Sequence, residues 1–159
     1  MYICMIKIVI LLGMMVTSTS IGWLIRSAYA KRVQYLKDML SFAQQLKNNV
    51  KSKKEKVVVF YKQMEDSLRK DCWCTLETFF EKRQVVTPEY LDKGDVVEIT
   101  QFLTSIGNLT YQEEVDNLVL RIGLFEECLH NAMQKLEKYG NLSLKLSSLI
   151  GMLICIIIM

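Results

Sequence analysis

Residues 110–139, TYQEEVDNLVLRIGLFEECLHNAMQKLEKY, have the clearest periodicity in this chain of 159 residues. Their apolar positions are spaced alternately three and four apart: Val115, Leu118, Ile122, Phe125, Leu129, Ala132, Leu136 and Tyr139. This heptad-like seam corresponds to about 38 Å of helix. Thr110 and Glu113 are spaced as the N-cap and N3 residues of a capping box. We therefore predict a long amphipathic helix over 111–139, interrupted by Gly140 and Asn141.

The segment before this helix predicts further helices. Residues 28–56 repeat apolar side chains at steps of three and four, namely Val33, Leu36, Leu40, Ala43, Leu46 and Val50, as one face of a helix requires. The stretches VVVFYKQMEDSL and CTLETFFEK that follow are apolar enough for short helices. The valines at 57–59 would suit a strand, but no alternation supports one.

The single proline of the chain predicts another helix start. Thr87 has a capping hydroxyl, and Pro88 follows at the position where a helix tolerates proline. Asp95 and Glu98 are spaced as a second capping pair. Gly107 follows the apolar run as a C-cap glycine would.

Both ends of the chain are strongly apolar. Between Lys7 and Arg26 lie 18 uncharged residues, about 27 Å of helix against a bilayer core of about 30 Å. We predict an uncleaved membrane anchor with Trp23 and Tyr29 at the interface. The alternative is a signal peptide cleaved after the small-residue pattern at 28–30.

The C-terminal run predicts a second span. Residues 142–159 contain only one charged side chain, Lys145, which can extend its ammonium to the headgroups. A buried core helix is the alternative for a run of this length. The final LICIIIM is apolar on every side, which suits lipid better than a core.

The charge distribution predicts the orientation of these spans. Residues 1–70 contain 13 Lys and Arg against 4 Asp and Glu, whereas residues 71–159 contain 7 against 13. Arg26, Lys31, Arg32 and Lys37 follow the first span, and only Lys7 precedes it. By the positive-inside rule we expect a double-pass protein of the cell membrane with a cytoplasmic middle. The predicted domains are an anchor at 1–27, a helical domain at 28–140 and a second transmembrane helix at 141–159.

The candidate functional residues belong to surfaces and helix ends. A basic stretch is a candidate contact for anionic lipid or an acidic partner, although it could also be a solvated face: Lys47, Lys51, Lys53, Lys54 and Lys56. Gly107, Thr110 and Glu113 are predicted structural caps. We find no motif for catalytic residues, a metal or a cofactor, and none for nucleic acid.

The five cysteines, an odd number, are read as reduced thiols of a domain that faces the cytosol. One enzymatic alternative remains. Cys72 and Cys74 in the CWC sequence are close enough along the chain for a thiol redox role. Their spacing differs from that of the usual CxxC motif.

FLTSIGNLTYQEE at 102–114 and the helix and tail after it resemble the stage III sporulation protein AB family. The resemblance includes a turn at 102–107, Ala132 and Lys138 in the long helix, and Gly151 in the terminal span. Leu103 replaces a glycine of the family's turn. The stretch 47–90 lacks the family's Tyr-x-x-Thr-Pro-Leu pattern.

The resemblance implies a non-enzymatic role in endospore formation. Such proteins are assembly subunits of a secretion-like channel between mother cell and forespore, in the outer forespore membrane. It implies a compact bundle of about six helices like the GspF platform protein of type II secretion. The implied partners are a cytoplasmic ATPase and other membrane subunits. A homo-oligomer of the chain is a further candidate assembly. A scaffold or regulator of another secretion-type assembly remains the alternative.

Overall fold

The computed structural model of the chain describes residues 2–52, 57–107 and 111–158, with side chains at all of these except 2–12, 14, 58, 111, 155, 157 and 158. The described residues form six α-helices: α1 Tyr2–Ser52, α2 Val57–Gln63, α3 Lys70–Lys82, α4 Lys93–Ser105, α5 Tyr111–Lys135 and α6 Asn141–Ile158. A 3-10 turn at Glu65–Ser67 follows α2, and a π-helical turn at Leu136–Gly140 lies between α5 and α6. Since the described ranges contain no strand, the predicted all-α fold is confirmed.

The helices form two compact units. Unit 1 consists of Met1–Lys31 and Ala132–Met159, and unit 2 consists of Arg32–Asn131. Helix α1 contributes its first part to unit 1 and the remainder to unit 2. The predicted domain limits at 1–27, 28–140 and 141–159 stay a prediction.

A series of aromatic rings runs through the core of unit 2. Phe60 of α2 lies 6.0 Å from Phe42 of α1, measured between ring centroids. Phe42 meets Phe102 of α4 edge to face at 6.2 Å, and Phe102 meets Phe125 of α5 edge to face at 5.2 Å. These distances are typical of favourable aromatic pairs. The ring of Phe102 therefore joins three helices.

The two long seams predicted from periodicity are largely buried in unit 2. On α1 these are Val33, Leu36, Ala43, Leu46 and Val50, with Leu40 half-buried. On α5 they are Val115, Leu118, Ile122 and Phe125. Apolar stripes at helical spacing pack inward because burial removes apolar surface from water.

The helix start predicted at Thr87 and Pro88 is wrong. Residues 84–88 lack helical structure, and α4 begins only at Lys93. The hydroxyl of Thr75 donates to the carbonyl of Val86 at 2.8 Å and holds this segment against α3. The Pro88 carbonyl then accepts the N–H of Leu91 at 3.3 Å, which closes a turn. Pro88 is thus the first residue of a turn and does not open a helix.

The predicted capping pair of Asp95 and Glu98 is also wrong, since α4 is capped one turn earlier. Asp92 is the N-cap and Asp95 is N3. The Asp92 N–H donates to Asp95 Oδ2 at 3.3 Å, and the Asp92 side chain accepts the N–H of Asp95. This is the reciprocal arrangement of a capping box.

The predicted interruption at Gly140 and Asn141 takes the form of a π-helical turn at Leu136–Gly140, and the helix does not break there. Asn141 has φ −74° and ψ −35°, which are helical values. The chain passes from α5 into α6 through the π-helical turn Leu136–Gly140. A glycine followed by asparagine allows a break but does not force one.

Within the residues that the structure describes, no helix is both long and apolar enough to cross a membrane. The two predicted spans stay predictions.

We expect Phe102→Ala to lower the free energy of unfolding by about 3–5 kcal/mol, because a cavity replaces the ring shared by three helices. Urea denaturation of the purified full-length chain measures this loss. Val97→Ala on the exposed side of α4 is the matched control, with an expected change below about 0.5 kcal/mol. Equal losses for the two variants would contradict the central place of Phe102.

Candidate functional site

Unit 2 contains a buried cluster of charged side chains at the start of α4. Arg32 of α1 is 4% exposed and Asp95 is 3% exposed. Arg32 Nε donates to Asp95 Oδ2 at 2.6 Å, and Nη2 donates to Asp95 Oδ1 at 3.0 Å. Arg32 Nη1 lies 2.5 Å from Asp92 Oδ2. The forked guanidinium therefore holds the two capping residues of α4.

The electrostatics of this cluster indicate a structural role. Burial alone would lower the pKa of Arg32, but the hydrogen bond to Asp95 and the charges of Asp95 and Asp92 outweigh burial, and the pKa is raised. Arg32 consequently stays charged. The Asp95 carboxylate is occupied by the guanidinium and the helix cap, and offers no open position to a substrate.

A second polar network links α1, α3 and the segment after α3. The Tyr35 hydroxyl donates to Thr75 Oγ1 at 2.9 Å, and the Tyr90 hydroxyl donates to Asp71 Oδ2 at 2.8 Å. Burial raises the pKa of Tyr35 well above its usual range, and the pKa of Tyr90 is raised by burial and by Asp71. These phenols stay protonated near neutral pH and act as structural donors.

The side chains of Cys72 and Cys74 are not placed for thiol exchange. Cys72 is buried, whereas Cys74 is exposed. Two positions apart on a helix, their side chains point about 200° apart around the axis of α3. Burial raises the pKa of the Cys72 thiol, which disfavours the reactive thiolate. Within the part of the chain that is described, no group of His, Cys, Asp and Glu could hold a metal ion.

The predicted basic surface is only partly visible. Lys47 is half-buried and Lys51 exposed, both near the end of α1. Lys53, Lys54 and Lys56 lie outside the described residues. The proposed contact role of this stretch stays a prediction.

Of the three predicted caps before α5, the structure describes Gly107 and Glu113. Gly107 has φ +80°, the left-handed conformation that glycine adopts at low cost. Its N–H donates to Glu114 Oε1 at 3.2 Å, so the chain turn is tied to the first turn of α5. Glu113 lies in that first turn. Thr110, the predicted N-cap, lies outside the described residues.

The outer face of α5 carries a glycine at its centre. Gly123 is exposed, and an added Cβ would meet nothing within 4 Å. At 3.6 residues per turn, the exposed residues of α5 within about 60° of Gly123 around the axis include no lysine or arginine: Gln112, Asp116, Val119, Leu120, Glu126, Glu127, His130 and Gln134. A mid-helix glycine costs about 0.5–1 kcal/mol relative to alanine. No described residue of unit 2 approaches the position of its missing Cβ, so packing within the described residues does not require this glycine.

Unit 1 has an interior of small residues. A Cβ on Gly22 would lie 2.2 Å from Ser147 Oγ and 3.1 Å from the Ser143 carbonyl oxygen. A Cβ on Gly151 would lie 3.3 Å from the Ser18 side chain. The Ser18 hydroxyl also donates to the Ser147 carbonyl. The backbones of α1 and α6 therefore approach each other at a distance that larger side chains would prevent.

The exterior of unit 1 is apolar. Large hydrophobic side chains of both helices are 38–72% exposed: Val16, Ile21, Trp23, Leu24, Ile25, Leu142, Leu146, Leu149, Ile150, Met152, Leu153, Ile154 and Ile156. A helix pair in water normally buries its large apolar residues. Here the small residues are inside and the large ones outside.

This arrangement is the strongest candidate site in the described residues, and it offers a binding surface without catalytic groups. Sequence reasoning found the two apolar runs but missed their mutual packing. The available signal was the set of glycines and serines within those runs, which is the residue type that permits close helix contact in lipid.

Comparison with known proteins adds one match. The family model for stage III sporulation protein AB matches residues 7–159. Searches of curated proteins and of solved structures found no match.

We expect Arg32→Met to lower the free energy of unfolding by about 3–5 kcal/mol, because Asp95 would remain buried without its counter-charge. The double variant Arg32→Met/Asp95→Asn should recover part of this loss, since the asparagine carries no charge. Urea denaturation measures each value.

Arg121→Met is the matched control for this prediction. Arg121 pairs with Glu98 at 3.0 Å, but both side chains are more exposed than those of Arg32 and Asp95. Its loss should cost about 1 kcal/mol or less. Equal losses of stability for Arg32→Met and Arg121→Met would contradict a larger contribution of the buried cluster.

Proposed function

The chain belongs to the stage III sporulation protein AB family, and from that premise we propose that it is a membrane-anchored assembly subunit of the channel between mother cell and forespore. The family has a role in sporulation and is not a known enzyme family. Membership also favours interaction with other proteins of a sporulation complex. Membrane anchoring, the channel and the individual partners are what we propose beyond family membership.

The observation that carries the anchoring is the inverted packing of unit 1. In water, an apolar exterior of this extent is an association or aggregation surface. In lipid, helices gain little from burying large apolar side chains, and they associate through small residues and serine hydrogen bonds. The contact of Gly22 with Ser147 and the outward position of Trp23 and Leu153 follow the lipid pattern. The apolar runs include residues 8–12 and 155–158, some of whose side chains lie outside the described part.

The proposed orientation places unit 2 in the cytoplasm, on the mother-cell side of the outer forespore membrane. Arg26, Lys31 and Lys37 follow the first apolar run and are exposed. Arg32 drops out of this argument, because it is buried and paired with Asp95. Three exposed cations still outnumber Lys7 on the other side, which supports the same orientation.

We assign contact with the rest of the assembly to the outer face of α5. Gly123 leaves room for a partner backbone to approach, and Val119 and Leu120 beside it are 50% and 61% exposed. Glu126 and Glu127 would pair with basic residues of the partner. In a platform or adaptor role like that of GspF, which the family resemblance suggests, the cytoplasmic ATPase is the proposed partner.

Cysteine accessibility tests the anchoring and the orientation. In a background without native cysteines, the full chain is produced in a bacterial host with one cysteine each at position 2, at Lys62 or after Met159. We expect a membrane-impermeant maleimide to label both ends but to label position 62 only after permeabilisation. Labelling at 62 in intact cells would contradict the orientation and exclude a direct ATPase contact.

Substitutions of Gly123 test the proposed contact surface. Gly123→Ala should raise the stability of the isolated chain by about 0.5–1 kcal/mol, because the helix gains and the Cβ has space. Gly123→Gln should fold normally but lower sporulation efficiency and co-purification of the ATPase. Gly94→Gln is the matched control, because Gly94 of α4 is also exposed with nothing within 4 Å. Normal sporulation with Gly123→Gln would refute this surface.

A further inference from the structure

The charged residues of unit 1 are almost all cationic. Unit 1 contains six cationic residues and a single acidic residue, Glu137, for a net charge of +5. The cations are Lys7, Arg26, Lys31, Lys135, Lys138 and Lys145. Such a unit favours anionic ligands. In the proposed membrane setting, the available anions are phospholipid headgroups.

A groove in unit 1 brings one of these cations together with neutral polar and apolar side chains. It has a volume of about 280 Å³ and is lined by Trp23, Arg26, Ser27, Ala30 and Leu136. The first four belong to α1, and Leu136 opens the π-helical turn. Single π-helical turns inside longer helices often occur at functional sites.

The aliphatic part of the Arg26 side chain packs against the π-helical turn, whereas its guanidinium is open to a ligand. A Cβ on Gly140 would lie 3.4 Å from Arg26 Cγ, so the absence of a side chain there lets the turn pack against the arginine stem. Arg26 is nevertheless exposed, and it forms no ion pair with any described residue. Its forked donors are therefore available to a ligand.

The chemistry of the lining fits a phosphate ester at a lipid interface. A guanidinium binds phosphate oxygens through two parallel hydrogen bonds. Ser27 adds a hydroxyl beside it, and the exposed Trp23 ring is the side chain most typical of the headgroup level. On the membrane side of Arg26, the Trp23 ring presents apolar surface to the glycerol and the first methylenes of the chains, and Ala30 and Leu136 line the groove on the other side of Arg26.

We propose that this groove binds the phosphate headgroup of an anionic phospholipid. The site rests on the proposed membrane anchoring of unit 1. It is separate from the basic stretch at 47–56, which was predicted from sequence and belongs to unit 2. Bound lipid would fix the level of the helix pair at the membrane surface, where Arg26 and Trp23 lie together.

Native mass spectrometry of the full chain in detergent tests the site. The chain is titrated with a short-chain phosphatidylglycerol and with the phosphatidylcholine of equal chain length. We expect at least about tenfold tighter binding of phosphatidylglycerol, the equivalent of ~1.4 kcal/mol, as a charge-assisted contact gives. Arg26→Gln should remove most of this preference, and Arg26→Lys should keep part of it.

Lys145→Gln is the matched control, since it removes one exposed cation of the same unit outside the groove. It should change the preference by less than about twofold, as a general charge effect in a screened environment does. Equal losses for Arg26→Gln and Lys145→Gln, or no preference for phosphatidylglycerol in the unaltered chain, would overturn the site.

Two further measurements separate the possible failures. Glycerol 3-phosphate is the soluble probe, and if it binds as tightly as the lipid with the same dependence on Arg26, the lipid assignment is wrong. Alkaline carbonate extraction of membranes tests the anchoring alone. A chain that resists extraction without a headgroup preference refutes the groove and leaves the anchoring intact, whereas an extracted chain refutes the anchoring.

Discussion

The pairing of Arg32 with Asp95 is the constraint on which unit 2 depends. It joins residues 63 positions apart in the sequence and holds the capped start of α4 against α1. Two turns later, α4 places Phe102 between Phe42 and Phe125. A buried pair of this kind adds little net stability over an apolar substitute, but losing one member leaves an unpaired charge. Its contribution is to select one arrangement of the helices.

The two units pack their apolar residues in opposite ways. In unit 2, phenylalanines and leucines fill the interior, and charged residues cover the outside, as burial of apolar area in water favours. In unit 1 the contact of Gly22 with Ser147 is inside, and leucines and isoleucines are outside. The same helix, α1, contributes to both. The proposed membrane around unit 1, with water around unit 2, would account for this change with a single physical rule for each.

Much of unit 2 could be predicted because helical periodicity is local. The seams of α1 and α5 follow from spacing alone, and their burial agrees with it. The start of α4 could not be predicted, since the hydroxyl of Thr75 fixes the segment before it through a contact 11 residues away. From the sequence alone Arg32 has the position of a membrane-flanking cation, because its partner Asp95 is close only in the folded chain. The candidate site was half predicted: composition identified two apolar helices, but not the small-residue contact between them.

The π-helical turn explains why that contact was missed. Continuing the alternating seam of α5 beyond Leu136 would place large residues inside, namely Tyr139, Leu146 and Ile150. A π turn contains one extra residue, and the inward face moves by one position. The shifted positions Gly140, Leu144, Ser147 and Gly151 are buried or half-buried, while Tyr139, Leu146 and Ile150 are exposed. A single inserted residue thus moves three large residues outward and brings Gly140, Ser147 and Gly151 inward, a pattern that suits the proposed helix contact in lipid.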